Sequence, residues 1–268
     1  MQDFDKLFEE FMSDWLEENK DNYTPDEAEF MLPELYEKWV TTPASELGGI
    51  SPEQYFESIT DAKQLVSAFI ESNEGDNNPC SLLIDRIIEV AECEDLIKEI
   101  VLNNADPKTV ISAMNILQEM GANPPVDRYI FFITTDGVDE GVRELAAEIL
   151  KERADEVRQT ALELIPTANL QVKEILAEIL VETEKDERTF DLLKELFLTS
   201  DNTPFVAGLI ARYGDERCVA YLYPALDDCN YLEFIEIRNA IESLGGVVDD
   251  EYRDFSDDEF YKAMKNLK

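Results

Sequence analysis

Histidine is absent from this chain of 268 residues. That absence removes the side chain that most often serves as a general base near neutral pH and most often ligates a metal. A serine or cysteine nucleophile would have no imidazole to activate it. Cysteine is scarce as well: Cys80, Cys93, Cys218 and Cys229 form no CxxC pair, so neither a structural zinc site nor a thioredoxin-like motif is expected. These four read as small core residues. No run approaches the roughly twenty apolar residues that span a bilayer, and no charged start followed by an apolar stretch marks a signal peptide. The expectation is a soluble, cytoplasmic protein. Basic residues are few, 23 Lys and Arg against 61 Asp and Glu, for a net charge of −38. A charge of that sign repels nucleic-acid backbones and anionic membrane surfaces, so neither is expected as a partner. The phosphate loop GxxxxGK[ST] does not occur, and the segment nearest to a calcium-binding EF-hand loop, residues 249–259, lacks the central glycine. No catalytic residue, cofactor site or metal ligand is assigned.

What is present is a recurrence. Ala147-Glu148-Ile149-Leu150 returns as Ala177-Glu178-Ile179-Leu180, continues at Ala207-Gly208-Leu209-Ile210, and slips by one at Ala240-Ile241. Looking backward, Asn115-Ile116-Leu117 fits with a spacing of thirty-three. A fixed period of about thirty residues marks stacked units, none of which buries its apolar face alone. Turn-rich breaks separate helix pairs at Asn103 to Pro107, Gly121 to Pro125, Asp136-Gly137, Pro166 to Asn169 and Asp201 to Pro204. Ile130-Phe131-Phe132-Ile133 has strand propensity, but its place in the period predicts a buried helix.

The front of the chain does not repeat. Residues 1–78 hold 20 Asp and Glu against 4 Lys and Arg. Phe4, Phe8, Phe11 and Trp15 fall on one helical face, which is expected to pack onto the first repeat and cap it. Thr24-Pro25-Asp26-Glu27 reads as a capping box that opens a helix with apolar positions Phe30, Met31, Leu35 and Trp39. Ser51-Pro52-Glu53-Gln54 restarts a helix after Gly48-Gly49. The segment from Lys38 to Glu53 resembles one found in bacterial helical domains, among them the toxin-binding part of some antitoxins. Its residues are turn and cap chemistry, and no antitoxin role is assigned from them. Residues 72–79, Ser-Asn-Glu-Gly-Asp-Asn-Asn-Pro, have the strongest loop composition in the chain, and a boundary is placed there.

The repeats resemble short bacterial HEAT repeats of the kind also found in phycobilisome lyases. Asp139-Glu140-Gly141-Val142-Arg143 through Leu150 is the closest copy of the family's second helix, and Gln171-Val172-Lys173 through Leu180 is the next. Asn202 and Glu233 stand where the family's valine would fall. The resemblance implies an all-α fold, a right-handed α-α superhelix of about five helix pairs. The expected organisation is an acidic helical N-terminal region over 1–78, a repeat array over 79–248 and an acidic C-terminal capping segment over 249–268. In the family the second helices line the concave face, here parts of 107–120, 139–151, 170–182, 203–213 and 231–244.

Candidate protein-binding residues on those helices are Arg143, Glu144, Glu148, Lys173, Glu174 and Glu178. Arg143 and Lys173 could form a basic row, but a ladder of ion pairs with neighbouring repeats is preferred because such pairs are ordinary. Glutamates one turn apart are ordinary on a solvated helix face as well. The function expected is a non-catalytic scaffold or adaptor that presents a helical face and an acidic surface to a basic protein or peptide. The alternative is an enzyme or chaperone of the HEAT-repeat lyase type acting on a modified protein or small ligand.

Overall fold

The computed structural model describes residues 3–20, 22–75, 78–249 and 252–265. Asp76 and Asn77 of the expected boundary loop, and residues 250, 251 and 266–268 of the expected C-terminal segment, lie outside the described residues. Every regular element among the described residues is a helix, and the sole β-type pairing is an isolated bridge between Ala44 and Ile50. The chain forms two compact units, Met1–Pro125 and Val126–Lys268.

In the first unit, α1 (Phe4–Asn19), α2 (Pro25–Phe30), α3 (Leu32–Thr41) and α4 (Pro52–Glu57) precede α5 (Ala62–Ser72), α6 (Ser81–Glu89), α7 (Cys93–Asn103) and α8 (Pro107–Glu119). Asp3 caps α1 by accepting from the Lys6 amide at 3.0 Å. Two aromatics of the α1 stripe pack on α3 and α4. Phe4 packs on Tyr55 and Phe56 of α4, and Phe8 on Tyr36 and Trp39 of α3, so the acidic front closes its own small core. Thr24 and Glu27 form the expected reciprocal cap of α2, the Thr24 amide donating to Glu27 at 2.9 Å and the Glu27 amide to Thr24 Oγ1 at 3.3 Å.

The helix that opens there is not continuous. Pro33 has no N–H to donate back toward Glu29 and its ring crowds that carbonyl, so the first helix ends at Phe30 and the chain restarts as α3 at Leu32, with Pro33 in the first turn. Phe30 consequently leaves the buried face and is 85% exposed. Ser51 and Gln54 complete a second capping box with Pro52 in the first turn of α4. Gly48 and Gly49 supply the positive φ of the turn before it, 73° and 89°.

In the second unit, α9 (Val126–Thr134), α10 (Glu140–Glu152), α11 (Ala154–Leu164) and α12 (Leu170–Leu180) are followed by α13 (Glu187–Thr199), α14 (Thr203–Tyr213), α15 (Val219–Ala225), α16 (Tyr231–Ser243) and α17 (Glu259–Lys265). The recurrence seen in the sequence is written twice here, in caps and in core. Asp139, Asn169, Asn202 and Asn230 each accept backbone N–H bonds at the start of α10, α12, α14 and α16, satisfying donors that a helix end leaves free. Ala146, Leu150, Ala177, Leu180, Ala207, Ile210, Ala240 and Ile241 are all almost completely buried. Small side chains at these positions let neighbouring helices approach closely: α10 packs on α9 and α12, α12 on α13, and α14 on α13 and α16.

The apolar stretch from Ile130 to Ile133 is helical, in α9, with Tyr129, Phe132 and Ile133 buried. Two departures from the repeat acquire causes. Asn202 caps α14 one turn closer to Ala207 than Asp139 and Asn169 lie to Ala147 and Ala177, so Phe205 takes the third helical position held by Val142 and Val172. Glu233 takes it in α16, where its carboxylate returns a bond to the Asn230 amide at 2.9 Å and completes a capping box.

Candidate functional site

α10 from Glu140 to Lys151, α12 from Gln171 to Glu178 and the start of α14 line a cleft of about 380 Å³ in the second unit. α10 and α12 begin at side-chain caps in the same phase, so Glu144 and Glu148 on α10 and Glu174 and Glu178 on α12 come to one space, which the shifted start of α14 closes with Asn202 and Phe205. Five of the six candidate residues line it: Arg143, Glu144, Glu148, Glu174 and Glu178. Its apolar contribution comes from Ala147, Ile175 and Phe205. Lys173 is not part of it; its Nζ reaches the Glu195 carboxylate on α13 at 2.6 Å.

Arg143 borders the cleft but is 5% exposed and committed to the protein. Its Nη1 donates to Gln171 Oε1 at 2.9 Å and its Nη2 to the Thr135 carbonyl at 3.2 Å, while Nε stands 3.8 Å from the Glu140 carboxylate without a hydrogen bond. It ties the end of α9 and the start of α12 to α10. Arg143 and Lys173 therefore do not make a basic row. They belong with polar contacts between helices, several of them between elements two helices apart: Lys151 with Glu178 at 3.2 Å, Arg158 with Asp186 at 3.4 Å, Arg217 with Glu187 at 3.0 Å, and Arg212 with Glu182. Exposed pairs of this type contribute about 0–1 kcal/mol each, so the ladder sets register more than stability.

Among the cleft carboxylates, Glu140 accepts from Gln171 Nε2 at 3.2 Å, Glu174 from Ser200 Oγ at 2.7 Å, and Glu178 is held by Lys151. Glu144 and Glu148, exposed and one turn apart on α10, have no hydrogen-bond or ion-pair partner among the described residues. The cleft thus offers two uncommitted negative charges beside an apolar wall. An ammonium or guanidinium head can meet the carboxylates while its alkyl stem lies against Ile175 and Phe205.

Comparison with protein-family models and with curated proteins finds no match to this chain.

The groups most often used in covalent chemistry are muted. Burial pushes the Cys80 thiol up to about 11 and raises Cys93, Cys218 and Cys229 as well, so little thiolate forms near neutral pH. All four thiols are free. No group of three or more Asp, Glu or Cys is placed to hold a metal ion among the described residues. No helix among them is long and apolar enough to cross a membrane.

The sequence pattern did not point to Ile175, Phe205, Asn202 or Lys151 as cleft residues. Lys151 and Ile175 fall within the copies quoted for the repeat or directly after them, and their spacing alone gives no reason to prefer them. Phe205 was hidden by the shifted start of α14, and only the cap at Asn202 signals that shift.

Proposed function

We propose that this chain is a non-catalytic protein-binding scaffold or adaptor built on a HEAT-like right-handed α-solenoid, and that the cleft lined by α10, α12 and the start of α14 receives a basic segment of a protein partner. The observation that carries the reading is the pair Glu144 and Glu148, uncommitted carboxylates beside the apolar wall of Ala147, Ile175 and Phe205. The recurring caps and buried alanines support the solenoid, because they repeat one structural unit along the chain. The net charge of −38 supports a cationic partner, since long-range attraction raises the encounter rate and suppresses anionic competitors. A chain without histidine, with thiols raised by burial, supports binding over catalysis.

The test is a titration of the full chain with a fluorescein-labelled peptide rich in lysine and arginine and free of large apolar residues. Binding is expected at about 0.05 M salt and is expected to fade by about 0.5 M, where charges more than a few ångströms apart are screened. Glu144→Gln with Glu148→Gln weakens it about ten-fold, or about 1.4 kcal/mol. The control Glu57→Gln with Glu119→Gln, equal in charge but on α4 and α8, changes it much less. Equal loss in the two double variants would mean that the chain's overall charge, and not the cleft, holds the peptide.

A further inference from the structure

The segment between α16 and α17 folds back on α16 and leaves a second cleft in the second unit. Phe255, buried, packs its ring on Tyr231 at 5.2 Å and on Phe234 at 4.8 Å, and Asp258 accepts from the Tyr231 amide at 3.2 Å. Beside these anchors lies a volume of about 530 Å³, lined by α16 from Tyr231 to Glu242 and, facing it, by Arg253, Asp254, Phe255 and Tyr261. That is the size of a small-molecule site. Its charged lining is balanced, Arg238 and Arg253 against Glu242 and Asp254, in a chain whose acidic residues outnumber its basic ones 61 to 23.

Which of these groups are already committed decides the ligand. Both carboxylates accept within the protein: Glu242 from Arg238 Nε at 2.8 Å, and Asp254 from the Ser256 amide at 2.8 Å and the Ser256 hydroxyl at 3.2 Å. The donors are not used up. Arg253 Nη1 donates to the Cys229 carbonyl at 2.6 Å and the Leu226 carbonyl at 3.3 Å, and its guanidinium lies 5.0 Å from the centre of the Phe255 ring. These contacts fix the guanidinium in place, yet Nε and Nη2 have no acceptor, and the side chain no carboxylate partner, among the described residues. The Asn239 amide group and the Tyr231 hydroxyl likewise make no hydrogen bond among them. A guanidinium held in this way loses little freedom on meeting a carboxylate, whose two oxygens match a pair of parallel N–H bonds.

We infer that this cleft binds a small organic acid, one carboxylate on an apolar body, with the carboxylate on the Arg253, Asn239 and Tyr231 donors and the body against Ile235 and the Phe234 and Phe255 rings. A single negative charge is selected because the chain's net −38 repels an anion more strongly the more charge it carries, which disfavours a phosphate dianion. The apolar lining selects the body, since a bare inorganic ion would gain nothing from it. This site takes a ligand of the opposite sign from the cleft on α10, α12 and α14 and does not depend on that cleft binding anything.

Fluorine NMR of the full chain tests it with three probes that share a fluorophenyl ring: a fluorinated phenylpropionate, the primary amide of the same acid, and a fluorophenyl phosphate. The acid is expected to bind with a Kd of about 1 mM or below, about ten-fold more tightly than the amide or the phosphate. Arg253→Gln is expected to weaken the acid about ten-fold and to leave the amide unchanged, so that the preference disappears. Because Arg253 also ties its segment to the turn before α16, Asn239→Asp gives an independent reading. Asn239 is exposed on α16 and bonded to no described residue, so the change spares the fold, and the added carboxylate is expected to weaken the acid about ten-fold. Glu144→Gln with Glu148→Gln leaves the binding of the acid unchanged. Equal affinity for acid and amide, tighter binding of the phosphate, no line broadening at about 1 mM acid, or unchanged binding of the acid to Asn239→Asp would each overturn the inference.

Discussion

At the scale of single residues, the most telling positions are short polar side chains at helix starts. Asp106 accepts from the Thr109 hydroxyl at 2.6 Å and the Thr109 amide at 2.8 Å, closing the first turn of α8. These two bonds, the hydroxyl's the stronger, hold its carboxyl below the ordinary value of 3.8. A carboxyl lowered in the folded state contributes stability that is complete above its unfolded pKa and disappears as the pH falls through its folded pKa. Asp106→Ala is therefore expected to cost about 1 kcal/mol at neutral pH. The difference from the parent shrinks below the ordinary value of 3.8, as urea unfolding across that range would record. Such caps were readable in the sequence where a proline or an acid followed them, as at Thr24 and Ser51. Arg143 was not, because nothing in its own neighbourhood announces that its partners are Gln171 and the Thr135 carbonyl, brought close only when the helices pack.

At the scale of elements, the alternation of capped helices with buried alanines decides how closely they pack. Ala177 is completely buried in α12, which packs against α11, α13 and α10. Enlarging it to leucine inserts volume where helices already touch, and Ala177→Leu is expected to destabilise by about 1–3 kcal/mol, measured by urea denaturation. Wild-type stability in that variant would mean that the alanines do not set the approach. The helical nature of every element, and the phase of α10 and α12, were legible because Asp139 to Leu150 and Gln171 to Leu180 carry a strong period of three to four. Two features were obscured. Pro33 turned one expected helix into α2 and α3, and the cap at Asn202 moved the start of α14, so that Phe205 entered the cleft. In each case a single residue's hydrogen-bonding capacity overrode a periodic apolar pattern.

At the scale of the whole molecule, charge dominates. A net −38 spread over 268 residues makes self-repulsion a standing cost to the compact state. Salt screens it, so the melting temperature is expected to rise as sodium chloride goes from about 0.05 to about 0.5 M, the reverse of what a fold held by its ion pairs would show. A fall in melting temperature would instead mean that the ion pairs from Lys151 to Arg217 outweigh the self-repulsion. This expectation follows from composition alone, since it depends on total charge and not on which residues meet. The uncommitted pair that lines the cleft, Glu144 and Glu148 beside Ile175 and Phe205, depends on the packing of three helices and was only half visible in the sequence. On the proposed function, the negative charge that burdens the fold would also attract a basic segment to that cleft, so stability and binding are expected to respond to salt with opposite signs.

The central claim, that the cleft on α10, α12 and α14 is the surface that receives a basic segment, is tested most directly by methyl NMR of the full chain titrated with the lysine- and arginine-rich peptide. The Ala147 and Ile175 methyl resonances are expected to move first and to saturate together, and to need about ten-fold more peptide to saturate when Glu144 and Glu148 are both changed to glutamine. Saturating binding that leaves those two methyl groups unmoved would contradict the claim.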